Sequence, residues 1–392
     1  MDFPRATVRT GGNSGKARIA EWKLLRQVRT LNGQTDIPQK ALHETVTMQP
    51  KAPRRQEQET SPQTAASGSI PLRKFGKHDV QVSALGLGGH HLGDAEDEQT
   101  AIRIVHQAVD NGITFFDNCW EYHRGKSEDW MGKALKGRRD KIFLMTKVCT
   151  HGRDASLAMQ MLEQSLNRLQ TDHLDLWQVH GVAFDNDPEL FTRPGGAAEA
   201  LQKAKQQGKV RFVGFTGHKD PTIHLKMLQT DFPFDSVQMP LNAFDANFHS
   251  FEIQVLPELI RRGIAPLGMK PLNGHGEAIQ QGAVSAEEAL RYAMSLPVTT
   301  TITGMEKLDV LHQNLRVAQG FQPMSSQEMQ ALRDRTRAVS ADGRFELYKV
   351  SLKFDNPEAR LAHDYPLDMQ SEEVKEMVQA ANTGHPFPVI PK

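Results

Sequence analysis

Cysteine is scarce in this 392-residue chain, with Cys119 and Cys149 the only two. Two thiols cannot build a disulfide framework, and their scarcity fits a reducing compartment. An iron–sulfur cluster with four cysteine ligands is excluded on count. Long apolar runs are missing as well. None approaches the roughly 18 to 20 residues that span a bilayer, and the first thirty residues lack the apolar segment of a secretory signal. Arg54 and Arg55 form a twin-arginine pair, but the polar QEQETSPQTAASGS follows where an export signal turns apolar, so the pair reads as chance. The chain also lacks an excess of either charge. Its 47 Lys plus Arg balance 47 Asp plus Glu, so no field draws it to nucleic acid or to an acidic membrane. These absences predict a soluble, cytoplasmic protein with no nucleic-acid or membrane partner.

Polar residues concentrate at the two ends. Residues 1–70 carry few aromatics, many Gln, Thr, Ser, Gly and Pro, and 11 basic against 6 acidic side chains. Such a segment cannot bury enough apolar surface to offset its ordering entropy and is expected to be a disordered tail. IAEWKLLRQV at 19–28 has helical apolar spacing and is the one docking-helix candidate within it. Met48 is an alternative start.

From about residue 80 the texture changes. Short runs of Val, Ile, Leu and Phe alternate with amphipathic stretches, the pattern of β/α units on a parallel sheet. Eight strand candidates stand roughly 30 residues apart: VSALGLGG at 82–89, ITFFDNCW from 113, KIFLMTKV from 141, HLDLWQVH from 173, VRFVGFTGH from 210, FDSVQMPL from 234, IAPLGMKP from 264 and TTTITGM from 299. Helical patterns lie between them, at 98–112, 157–169 and 286–296 among others. Eight units fit an α/β fold of the closed (β/α)8 TIM-barrel type over 71–322 better than an open doubly wound sheet. Residues 323–392 then form a C-terminal extension: a helix over SSQEMQALRDRTRAV, the stretch DGRFELYKVSLKFDNPEAR and a Pro-rich end. Either a lid over an active-site mouth or a pad on the barrel wall is compatible with it.

A TIM barrel keeps its active site at the C-terminal ends of its strands. Those ends carry Gly88, Gly89, His90 and His91 on the first strand, Asp117 with Trp120 and Tyr122 on the second, Lys147 on the third and His180 on the fourth. The fifth offers Thr216, Gly217 and His218, the sixth Gln238 and Asn242, the seventh Lys270 and the eighth Gly304 and Met305. Unpaired charge facing a barrel interior is costly, so Asp117 and Lys147 are expected to pair with each other. A tyrosine beside that pair has its pKa lowered from the reference of about 10 by the ammonium and can serve as a general acid. With His180 donating to a carbonyl oxygen, the four groups would polarise a C=O and protonate the alkoxide formed on reduction. None of them is a hydride source, so a cofactor must bring the hydride, and nicotinamide is the usual one.

FFDNCWEYHRGKSEDWMGKAL, followed by TK and then by DLWQVH, resembles the aldo-keto reductase superfamily, with motifs spread over 80–320. The resemblance implies a catalytic tetrad of Asp117, Tyr122, Lys147 and His180. It implies cofactor contacts from Gly88, Thr216, Gln238, Lys270, Leu272, Gly274, Gly304, Gln313 and Asn314, and no metal. Two regions depart from the family pattern. Thr216, Gly217 and His218 stand where Ser-Asn often holds the nicotinamide carboxamide, and the aromatic that stacks on nicotinamide is absent from MPLN, with Met239 or Phe244 as the substitute. KPLNGHG resembles the loop over the pyrophosphate, with Gly276 also in it. In GMEKLDVLHQNL, Gln313 and Asn314 take the place of the adenine-holding pair, while Glu306 and Val310 stand where basic residues often bind the 2′-phosphate. A glutamate there repels that phosphate and accepts from a free ribose hydroxyl. Lys307 and His312 restore positive charge, and the family's habit tips the expectation slightly toward NADP(H) over NAD(H).

The expected activity is reduction of a small aldehyde or ketone, or oxidation of the alcohol, in a pocket framed by Trp120, His90, His91 and Trp177. Neither the substrate nor the choice between monomer and homo-oligomer follows from the sequence. Two rivals are a nucleotide-binding regulatory barrel with little turnover and a metal-dependent barrel hydrolase using His90, His91, His180 and His218. Against the hydrolase, adjacent His90 and His91 would point to opposite sides of a strand, and Gly304 stands where a carboxylate ligand is wanted.

Overall fold

The computed structural model describes residues 68–148, 153–274, 276–351 and 354–355, and all structural statements below concern these. The tail, the helix candidate at 19–28 and Met48 lie outside them, as does the Pro-rich end. Eight parallel strands close into a barrel: β3 (Leu85–Gly88), β4 (Phe115–Asp117), β5 (Phe143–Val148), β6 (Leu174–Val179), β7 (Val210–Thr216), β8 (Ser236–Pro240), β9 (Ala265–Met269) and β10 (Thr300–Gly304). Each coincides with one predicted strand except at the start. The first candidate, 82–89, is two elements. Its opening residues form β2 (Gln81–Ser83), which pairs antiparallel with β1 (Leu72–Lys74) outside the barrel.

That hairpin closes the barrel floor. Phe75 and Val82 pack with Phe115, Phe143, Met145, Leu176, Leu267 and Ile302 in one interior cluster, with the Phe75 and Phe143 rings 4.9 Å apart. Burial of each such side chain contributes about 1.5–3 kcal/mol. A second, larger apolar shell lies between the strands and the surrounding helices, and Trp177 belongs to it. The helices start where the sequence supplies caps. The Asp97 side chain accepts from Thr100 N ahead of Glu98–Asp110, Asp154 does the same for Ala155–Arg168, and Ser285 with Glu288 forms a capping box for Ala286–Ser295.

The C-terminal extension is both pad and wall. The helix Ser326–Ser340 docks on the segment after β8, with Thr336 Oγ1 donating to Ala243 O at 3.0 Å and Arg333 paired to Glu252. The chain then crosses to the barrel mouth. There buried Lys349 donates to Asp245 Oδ1 at 2.7 Å and to Glu346 Oε2 at 3.0 Å, while Tyr348 OH donates to Glu346 at 2.8 Å. Among the described residues no helix is long and apolar enough to cross a membrane.

Candidate active site

Register sets the site. Gly304 pairs with Gly88 and Gly88 with Asp117, so the ends of β10, β3 and β4 share one rim. Lys147, the next-to-last residue of β5, is 1% exposed, and Asp117 is 4% exposed. The Lys147 ammonium donates to Asp117 Oδ1, to Asn118 O at 2.8 Å and to the Tyr122 hydroxyl at 3.3 Å. Three N–H donors thus meet three acceptors, which is what makes a buried ammonium affordable. The Asp–Lys pair expected from the sequence is present, with the tyrosine as its third member.

Tyr122 opens a short 3-10 turn, Tyr122–Gly125, in which His123 and Arg124 adopt φ of 51° and 58°. Left-handed backbone at non-glycine residues costs roughly 1–2 kcal/mol each. His123 is held there by its ring nitrogen, 2.8 Å from His90 O. Beneath the turn, buried Glu128 accepts from Thr146 Oγ1 at 2.6 Å and pairs with Arg168, and burial pushes its carboxyl up to about 7.

His180 follows β6, its backbone N–H bonded to Val148 O at 2.9 Å. Its ring meets that of Tyr122 edge-on, with centroids 6.0 Å apart. Nδ1 lies 2.8 Å from Glu121 Oε1 and 3.4 Å from Cys119 Sγ. Burial opposes charge on this imidazole, but the Cys119 sulfur and the Glu121 carboxylate outweigh it and raise the group to about 9.

These groups face a cavity of about 950 Å3 at the barrel mouth, at the upper end of the roughly 300–1,000 Å3 usual for small-molecule sites. Of the residues expected at the site, Gly88, Asp117, Tyr122, His180, Gln238, Lys270, Leu272, Gly274, Gly304, Gln313 and Asn314 line it. Lys147 reaches it through Tyr122. Thr216 does not line it: it is 1% exposed, and its backbone carbonyl accepts from Val182 N. Met239 and Phe244 are fully buried away from the cavity, and Trp177 points outward into the helix shell, so none of the three frames the pocket. His90 and His91 stand on a short helix, Gly89–Leu92, rather than on a strand, and both face the cavity.

Several cavity features call for a ligand. Gln238 Oε1 and His218 Nε2 are buried with no hydrogen-bond partner among the described residues. Lys270, at φ +55°, stands under the Tyr348 ring at 5.2 Å with no ion pair among the described residues; burial first, and then Lys147, lowers its ammonium to about 8. Gly304 lies so close to His91 that a Cβ would sit 2.3 Å from its Nδ1, and Gly274 and Gly276 hold positive φ beside open space. An amide acceptor, an ammonium and a glycine-rich loop in one cleft fit a nicotinamide dinucleotide, whose carboxamide donates and whose pyrophosphate is anionic.

Residues 84–278 match the model of the aldo/keto reductase family. The chain is 27% identical to the uncharacterized oxidoreductase YqkF of Bacillus subtilis, over 68% of this chain and 96% of that one. It is 31% identical to the uncharacterized oxidoreductase YrpG of the same organism, over 53% of this chain and 69% of that one. The chain belongs to the aldo-keto reductase family. The holo form of the aldo-keto reductase AKR11C1 from Bacillus halodurans superposes with a TM-score of 0.58 at 26% identity, covering 68% of this chain and 96% of that one. Its membership makes the chain an oxidoreductase of small carbonyl compounds. Sequence reasoning missed one part of this reductase's cavity and left a second open between lid and pad. Glu121, which holds His180, sits one residue before Tyr122 and carries no signal of its own. Arg344, Phe345, Leu347, Tyr348 and Phe354 form the wall supplied by the C-terminal segment, and the aromatic run DGRFELYKV was its only sign.

Proposed function

We propose that this reductase uses a nicotinamide cofactor to interconvert a small aldehyde or ketone and its alcohol, with Tyr122 as the proton donor in reduction. The observation that carries this reading is the Tyr122 hydroxyl 3.3 Å from the ammonium of a fully satisfied, buried Asp117–Lys147 pair. The bound nicotinamide supplies the hydride for the carbonyl carbon. His180 donates to the carbonyl oxygen and fixes its direction, held in place by Glu121. As negative charge develops on that oxygen, the Tyr122 hydroxyl passes it a proton, and the Lys147 ammonium stabilises the phenolate left behind. Asp117 keeps Lys147 aimed.

Gln238, whose Oε1 is buried without a hydrogen-bond partner among the described residues, would accept from the carboxamide. Lys270, Leu272 and Gly274 would hold the pyrophosphate, and Gly88 and Gly304 leave room for backbone contact. Gln313 and Asn314 would take the adenine end. Glu306 lines the same end of the cavity and disfavours a 2′-phosphate, so the preference for NADPH over NADH is slight. The test is to follow nicotinamide absorbance while a panel of aldehydes and ketones is offered with each reduced cofactor. Carbonyl-dependent oxidation of at least one cofactor is expected, and a folded protein inert toward the whole panel would contradict the reading.

A further inference from the structure

The residues beneath His180 have a second chemistry, independent of Tyr122. Cys119 Sγ, a Glu121 carboxylate oxygen and His180 Nδ1 all lie within 4.8 Å of one another. A thiolate, an imidazole and a carboxylate are the three ligand types that zinc takes, at about 2.3 Å for sulfur and 2.0–2.2 Å for nitrogen and oxygen. Tetrahedral angles then place sulfur and nitrogen about 3.6 Å apart and nitrogen and oxygen about 3.4 Å apart. The structure has 3.4 Å for the first pair and 2.8 Å for the second. Only the carboxylate must move, and Glu121, at the cavity edge with 18% of its side chain exposed, can turn away by that half-ångström. Glu121 and His180 both line the cavity, so the site borders it.

We propose that Cys119, Glu121 and His180 form a binding site for a zinc-type divalent cation within the reductase pocket, and that zinc held there inhibits carbonyl reduction. Binding releases two protons to solvent, one from the Cys119 thiol, which now donates to Lys147 O at 3.8 Å, and one from His180 Nδ1 beside Glu121, and it ties the carbonyl-orienting ring to the metal. The inhibitory half rests on the proposed reductase mechanism; the site itself does not. A rival cluster at the rim, His90, Asp94 and His123, is poorer because His123 Nε2 is engaged by His90 O.

The experiment titrates cobalt(II) into the full chain after chelator treatment and records the near-ultraviolet thiolate-to-cobalt band and the visible bands of tetrahedral cobalt. One equivalent should saturate both, and zinc should displace the cobalt. Cys119→Ser should abolish the thiolate band while Cys149→Ser keeps it, and Glu121→Gln should weaken binding about tenfold or more without unfolding the protein. Absence of the band in the unmodified protein, or its survival in Cys119→Ser, would overturn the site. Zinc that displaces cobalt but leaves carbonyl turnover unchanged would overturn the inhibitory half. A Cys119-dependent band in a protein with no carbonyl turnover would count against the reductase reading and for the site.

Discussion

Tyr122→Phe is expected to lower carbonyl turnover by roughly 10²- to 10⁴-fold, the usual range for loss of a positioned general acid. The substitution removes one oxygen. That oxygen touches Lys147 Nζ at 3.3 Å, and the ammonium keeps Asp117 and the Asn118 carbonyl as partners. The ring stays, edge-on to His90 and His180, so the cavity wall and the cofactor contacts are preserved. The loss should therefore fall on kcat, with cofactor affinity within about twofold of the original. Lys147→Met is a less clean experiment, because it strands the buried Asp117 carboxylate and costs stability as well as rate. Unchanged turnover in Tyr122→Phe would remove the tyrosine from the mechanism.

The second large effect concerns the wall rather than the chemistry. Lys349→Met should destabilise the protein by about 3–5 kcal/mol, the cost of leaving buried carboxylates without their cation. Lys349 donates to Asp245 Oδ1, Glu346 Oε2 and Phe248 O, and both acids are almost inaccessible to solvent. Asp245 has further duties, accepting from the backbone N–H of Phe251 and Glu252 and from Ser250 Oγ. Burial already pushes the Glu346 carboxyl up to about 7, against the pull of Lys349. Without that ammonium burial favours the protonated form of Glu346, and Asp245 loses its buried cationic partner. Since Tyr348 and Phe345 hang from the same segment, the variant should also raise KM for carbonyl substrates. Denaturant unfolding and steady-state kinetics check the two halves. A stability loss under about 1 kcal/mol would mean that the buried triad does not anchor the segment.

The barrel was legible because its signal is repeated eight times, and alternation of short apolar runs with amphipathic helices has few other solutions. The Asp117–Lys147 pair was legible for a related reason: opposite charges at neighbouring strand ends inside a barrel must find one another. What was hidden depends on contacts made outside that repeat. The β1–β2 hairpin consists of two three-residue strands, too short to show periodicity, and its value lies in where Phe75 and Val82 insert. The rule that neighbouring strand residues face opposite ways misplaced His90 and His91, because β3 ends at Gly88 and a helical turn brings both rings to the cavity. Thr216, Met239 and Phe244 were assigned by position in a motif, and each is buried without lining the cavity. Glu121 and the Tyr348 wall are long-range pairings, to His180 and to Asn242, that no local pattern announces.

Titration of the purified protein with NADPH and with NADH reports whether the cavity takes a reduced nicotinamide dinucleotide. Quenching of tryptophan emission and enhancement of nicotinamide emission report binding, and Trp120 lines the cavity. Saturable binding of at least one of the two is expected, with NADPH only modestly preferred. A well-folded sample that binds neither would contradict the proposed use of a nicotinamide cofactor.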